Sequence, residues 1–202
     1  MSLWKKFVYR FSPFELALLA MISVLGIAVK PLAGTIAHIV TGPLNIPGGA
    51  VAGGLYMMWI VIGAGLTGKT GAGAMIGITQ GILVLALGFY GSHGALSLIT
   101  YTLPGISADL VLRLMRHKVC CPLCGFLAGA AANMTGTLLV AGAFFSLPWI
   151  ALLLSLAVAA LSGGLGGILA YSVVSRLRKM KIGVPEGDTG IKNGKEKGKP
   201  YE

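Results

Sequence analysis

Acidic side chains are nearly missing from this sequence. Six of its 202 residues are Asp or Glu, and only Glu15 and Asp109 precede residue 176. Basic residues are scarce over the same region, with Lys5, Lys6, Arg10, Lys30, Lys69, Arg113, Arg116 and Lys118 completing the charged set. No charged residue occurs from Pro31 to Gly68, from Thr70 to Ala108 or from Val119 to Ser175. An ordinary globular domain carries charge on about a quarter of its residues, which keeps its surface in water. Stretches this neutral exclude a water-soluble fold and make lipid the solvent. The same scarcity leaves no intramembrane His/Asp/Glu constellation, so a membrane-embedded enzyme lacks its usual machinery. His38 and His93 fall in loops without acidic partners. Ten-residue alternation is absent too, and with it the pattern of a β-barrel.

What remains is 55% hydrophobic and arranged in continuous apolar runs. A spanning helix takes roughly 20 apolar residues, and lipid restricts the backbone to helices or closed barrels. The expected fold class is therefore an all-α integral membrane protein with six transmembrane helices. Ser12-Pro13-Phe14-Glu15 supplies a cap, a first-turn proline and a first-turn acid, starting a span that runs to about residue 29. This segment lacks an A-x-A cleavage site and is expected to be retained. Residues 31–48, broken by Pro31, Pro43 and Pro47, read as a long first outer loop with a short helix near 32–40. Further spans are expected at 50–66, 72–89, 96–115, 122–144 and 148–174. The organisation expected is a cytoplasmic segment 1–12, a six-helix membrane domain 13–178 and a polar, disordered cytoplasmic tail 179–202.

The net charge of +10 invites a nucleic-acid partner, but the basic residues sit at the ends of apolar segments. There they set orientation. Lys5, Lys6 and Arg10, then Lys69, then Arg113, Arg116 and Lys118, then Arg176 onward fall on alternate connections, while the others hold only Lys30. The positive-inside rule puts both termini in the cytoplasm of a multi-pass protein of the cell membrane.

Several local patterns have two readings. Gly63-Ala-Gly-Leu-Thr-Gly68-Lys69-Thr70 matches a phosphate-loop pattern. That motif needs a preceding strand and a magnesium-binding acid, so Lys69 is read as an inside-positive anchor. Cys120, Cys121 and Cys124 cluster near His117. They are either structural thiols at a helix start or a metal or redox site, and one C-x-x-C is too few ligands for a closed zinc site. Asp109 and Arg113 have the spacing of a helix ion pair. Gly77/Gly81, Gly125/Gly129 and Ala159/Gly163/Gly167 are spaced by four, as close helix packing requires. Ala17, Ala20, Ser23 and Gly26 recur every three residues on the first span, either packing internally or docking a partner membrane protein. Trp149 reads as an interfacial anchor.

Amides buried in lipid are costly and face the bundle interior. Tyr56 and Trp59 share a face, Gln80 lies in the middle of the third span, and Asn133 shares a face with Thr137. Tyr101 lies in the outer half of the fourth span, and Tyr90 and His93 fill an outer loop. Together these residues suggest an aromatic-amide pocket, open to the outside, for a small planar or amphiphilic solute.

Over residues 12–176 the sequence resembles the substrate-binding S components of energy-coupling factor (ECF) type ABC importers. The resemblance is nearest to the branch linked with thiamine and its hydroxymethylpyrimidine precursor, whose members have been labelled cobalt permeases. It is carried by Gly54-Leu-Tyr56-Met-Met-Trp59 running into Gly68-Lys69-Thr-Gly-Ala-Gly73, and by Gln80-Gly81 leading to Gly88-Phe-Tyr-Gly91-Ser-His-Gly94. It implies a vitamin-capturing subunit without ATPase activity of its own and without a cofactor. Its partners would be a transmembrane coupling protein and two cytoplasmic ATPases. The family's A-x-x-x-A docking motif is absent here, its place taken by Ala17, Ala20 and Ser23. Gln80 stands where cation-binding relatives carry an acid, which makes a neutral ligand at least as suitable as thiamine. The alternative is a self-sufficient small transporter or channel, which would need inverted repeats with broken helices.

Overall fold

The computed structural model describes residues 11–41, 48–88, 96–115, 119–144 and 148–180, leaving aside the side chains of 36–41, 48 and 144. The described residues form six helices and no strand: α1 Pro13–Thr41, α2 Gly48–Thr67, α3 Ala72–Leu87, α4 Ser97–Leu114, α5 Pro122–Phe144 and α6 Trp149–Lys179. The all-α expectation holds, and α2 to α5 lie within about two residues of the limits read from sequence.

Two boundaries depart from expectation. α1 continues through Pro31 to Thr41, so most of the expected outer loop is helix. A proline removes one backbone hydrogen bond, whereas ending the helix in an apolar medium strands several polar groups, so continuation costs less. α6 extends past the expected limit to Lys179 because Arg176, Arg178 and Lys179 occupy its last turn, where cations complement the carbonyl end.

Four of the six helices are long and apolar enough to cross a membrane, over Pro13–Thr35, Gly49–Thr67, Pro122–Ala143 and Trp149–Lys179. α3 has 16 residues, about 24 Å at the helical rise, and α4 carries Asp109 and Arg113. Large apolar side chains face outward on α1 (Phe14, Met21, Leu32) and α6 (Trp149, Ile150, Leu161). Such a surface suits lipid and not water.

α2 is the central helix, packed against α1, α3, α5 and α6. Residues 60–67 are buried without interruption, as a helix apolar on all sides requires. Glycine sets how closely the helices approach. A Cβ at Gly125 or Gly129 of α5 would strike the carbonyls of Gly167 and Gly163 on α6, and one at Gly166 would strike the Gly54 carbonyl of α2. The four-residue glycine spacings are spent on packing within the chain.

At one end of the bundle most polar groups find partners, Glu15 Oε1 being an exception. Ser12 N–H donates to Glu15 Oε2 (2.6 Å) and Glu15 N–H to Ser12 Oγ (3.2 Å), a reciprocal cap on α1. Lys69 pairs with the buried Glu15 carboxylate at 2.7 Å, so it is a structural ion-pair partner as well as a terminal charge. The residues before it are helical, with the Thr67 hydroxyl donating to the Gly63 carbonyl (2.9 Å), and no phosphate loop forms. Gly68 and Gly71 turn the chain at φ of 59° and 100°, conformations that glycine adopts without Cβ strain. Asp109 does not pair with Arg113; its carboxylate accepts from Gly73 N–H (3.1 Å) and Ala74 N–H (2.9 Å). The first N–H groups of α3 have no partner in their own helix, and a carboxylate from α4 supplies one. Arg178 of α6 donates to the Gly65 carbonyl near the end of α2.

Gly167→Val should destabilise the detergent-solubilised protein by about 1–3 kcal/mol or more through overpacking against α5. Gly142→Ala, where a Cβ meets nothing within 4 Å, should leave thermal unfolding unchanged or slightly raised.

Candidate solute site

In the half of the bundle away from Lys69, the polar groups are not matched. α1 presents Gly26, Lys30 and Gly34, one helical turn apart, to its neighbours. A Cβ at Gly26 would run into Gln80 Nε2 and come within 3.2 Å of Trp59 Cγ, and one at Gly34 would lie 3.1 Å from the Tyr56 hydroxyl. The missing side chains let α2 and α3 bring Tyr56, Trp59 and Gln80 against α1, around Lys30.

The Lys30 ammonium sits 3.7 Å from the Tyr101 ring centroid and 5.7 Å from that of Tyr56. It donates to Gln80 Oε1 at 3.5 Å. The Tyr56 hydroxyl donates to the Lys30 carbonyl at 3.3 Å, fixing α2 to α1 at this level. Cation–π contacts hold a desolvated ammonium at about 2 kcal/mol or more each, but they do not neutralise it. Among the described residues no carboxylate belongs to the group: Glu15 is taken by Lys69 and Asp109 by the start of α3.

Gln80 is only 2% exposed, and its Nε2 has no hydrogen-bond partner among the described residues. Trp59 Nε1 and Thr102 Oγ1 share that condition. Buried donors are matched in the great majority of cases, and Gln80 leaves one unmatched while its Oε1 faces the Lys30 ammonium.

Of the residues expected to line a pocket, Tyr56, Trp59, Gln80 and Tyr101 come together here. Asn133 is placed differently. Its Nδ2 donates to the carbonyls of Ala50 (3.1 Å) and Ala159 (2.8 Å), tying α5 to α2 and α6. Tyr90 and His93 lie outside the described residues. Sequence reading missed Lys30, Gly26 and Gly34. The available signal was a lone lysine inside a long apolar helix, a costly placement, with glycine four residues to either side.

The proposed docking set also divides. Ala17 and Ala20 are exposed, whereas Ser23 is fully buried and its hydroxyl donates to the Leu19 carbonyl at 2.8 Å. Residues three apart drift about 60° around a helix per step, so a threefold spacing cannot stay on one face. The cysteines gather at the Lys69 end, just before and within the first turn of α5. Hydrogen bonds from the Cys124 thiol and N–H lower the Cys121 thiol below its ordinary pKa.

These features define a multi-pass membrane protein with a half-buried polar group between its helices. Residues 14–135 match the family described as "ABC-type cobalt transport system, permease component", and the chain belongs to that family. Its fold is similar to the crystal structure of an S-component of an ECF transporter, with a TM-score of 0.72 at 20% identity, over 85% of this chain and 88% of that one. No curated protein matches the sequence.

Lys30→Met, which keeps the length of the side chain and removes its uncompensated charge, should stabilise the ligand-free protein by about 1–3 kcal/mol. A rise in the thermal unfolding midpoint in detergent is the expected reading.

Proposed function

We propose that this protein is the solute-capture (S) subunit of an ECF-type ABC importer. In this reading all six helices cross the membrane, both termini are cytoplasmic, and the Lys30 group is reached from outside. The subunit binds a vitamin-sized solute, and a transmembrane coupling protein with two cytoplasmic ATPases drives its delivery. The chain itself is non-catalytic. Membership of a transport permease family and the fold of an S component support this reading.

The observation that carries it is the chemistry around Lys30. Gln80, which faces the Lys30 ammonium, carries an unmatched donor, the charge there is positive, and the rings of Tyr56 and Tyr101 face it, with Trp59 packed beside Gly26. Such a site takes a planar, acceptor-rich solute that is neutral or anionic, with a carboxylate or ring carbonyl set on Lys30 and Gln80. A cation of the thiamine type would meet an ammonium with no carboxylate to offset it. A cobalt ion would meet the same repulsion, and the group holds no thiol, imidazole or carboxylate among the described residues.

Mass spectrometry of the protein purified in detergent should find a co-purifying small molecule of this class. Lys30→Met and Gln80→Leu should each weaken its binding by roughly tenfold or more, the loss of a charge-assisted or buried hydrogen bond. Retained affinity in both variants, with folding intact, overturns the site. Topology is checked separately, with the native cysteines replaced: Ser92→Cys should react with an impermeant thiol reagent on intact cells and Thr70→Cys should not.

A further inference from the structure

The solute reading leaves three thiols without a role. Cys120, Cys121 and Cys124 stand where the chain enters α5, at the end of the bundle that holds Lys69 and Asp109. Cys121 Sγ lies 2.9 Å from Cys124 Sγ, Cys120 Sγ lies 3.8 Å from Cys124 Sγ, and all three sulfurs are within 4.8 Å of one another. A tetrahedral ion with zinc–sulfur bonds of about 2.3 Å holds its sulfurs roughly 3.8 Å apart. The three thiols therefore fit one coordination shell after shifts of a fraction of a side-chain rotation.

The surroundings of Cys121 suit a thiolate ligand. Cys124 N–H donates to Cys121 Sγ at 3.3 Å, a backbone bond that holds the sulfur as an acceptor. Both residues sit at the N-terminal end of a 23-residue helix, whose dipole stabilises negative charge. Burial is graded in a useful order. Cys124 is 1% exposed and fixed in the core beside Val119, Cys121 is half-buried, and Cys120 is exposed. An ion can enter at Cys120 and be held against Cys124.

We propose that Cys120, Cys121 and Cys124 form a three-thiolate site for a thiophilic ion of the Zn2+ class, with the fourth coordination position open to water. Binding displaces the three thiol protons to solvent and fastens the 119–121 segment to the first turn of α5. This site is separate from the Lys30 group and does not depend on the solute reading.

The test is titration of the full-length reduced protein, in detergent, with Co2+ as the spectroscopic probe. The expected result is a thiolate-to-cobalt charge-transfer band that saturates at one equivalent, shows tetrahedral ligand-field absorption and is displaced by Zn2+. Cys120→Ser removes an exposed ligand without touching the core, and should weaken Co2+ binding by about tenfold or more. The Cys120/Cys121/Cys124 triple serine variant should show no band, while Lys30→Met should titrate as the parent does. A parent protein without a charge-transfer band at one equivalent, or an undiminished band in the triple variant, overturns the proposal. So does a Cys121–Cys124 disulfide in protein purified without oxidant in the presence of Zn2+, because bound metal would have protected both thiols.

Discussion

Hydrocarbon cannot hydrogen-bond, and this constraint organises the whole molecule. Each polar group carried into the bundle needs a partner from the chain itself or costs several kcal/mol. The helical backbone answers the constraint locally, and it carries α1 past Pro31, where a soluble chain would turn. The hydrophobic effect offers little help between helices in lipid. Cohesion comes instead from close packing, which explains why α5 and α6 meet glycine to glycine and why Ser162 and Asn133 bond to the backbone of α2.

The two halves of the bundle answer the same constraint in opposite ways. At the Lys69 end, Glu15, Lys69, Asp109 and Arg178 each close an open helix terminus or neutralise a partner. Around Lys30, a cation and the unmatched Gln80 donor meet with no acid among the described residues. Cohesion alone would not select that arrangement, since an apolar residue at position 30 would pack at lower cost. In the function proposed above, a bound solute completes that hydrogen bonding.

Much of this was legible in the chain. Long uncharged stretches dictate a helical membrane protein, and Ser12 to Glu15 mark the start of α1 by capping chemistry that is local in sequence. Tyr56, Trp59, Gln80 and Tyr101 were identifiable as polar or aromatic residues at membrane depth, where each needs a reason. Lys30 was harder to read, because a single lysine near the end of an expected span looks like a terminal charge. Only the continuation of α1 to Thr41 puts it inside the bundle. The Asp109–Arg113 spacing suggested a local pair for a similar reason. Sequence separation shows which partner is near along the chain, and the N-terminus of α3 competes for the carboxylate across space.

By itself, then, the sequence determined the solvent, the helices and, for α2 to α5, their approximate limits, since these follow from hydropathy and from capping within a few residues. Tertiary structure decided which polar groups found partners. Asn133 became a tie between three helices, Ser23 turned inward, Asp109 capped a neighbouring helix, and Lys30 was left facing two aromatic rings with no counter-charge among the described residues. The physical reason is that satisfaction of a buried polar group depends on what lies within about 3 Å of it. Several such partners come from far along the chain, as Ala50 does for Asn133 and Asp109 for the start of α3.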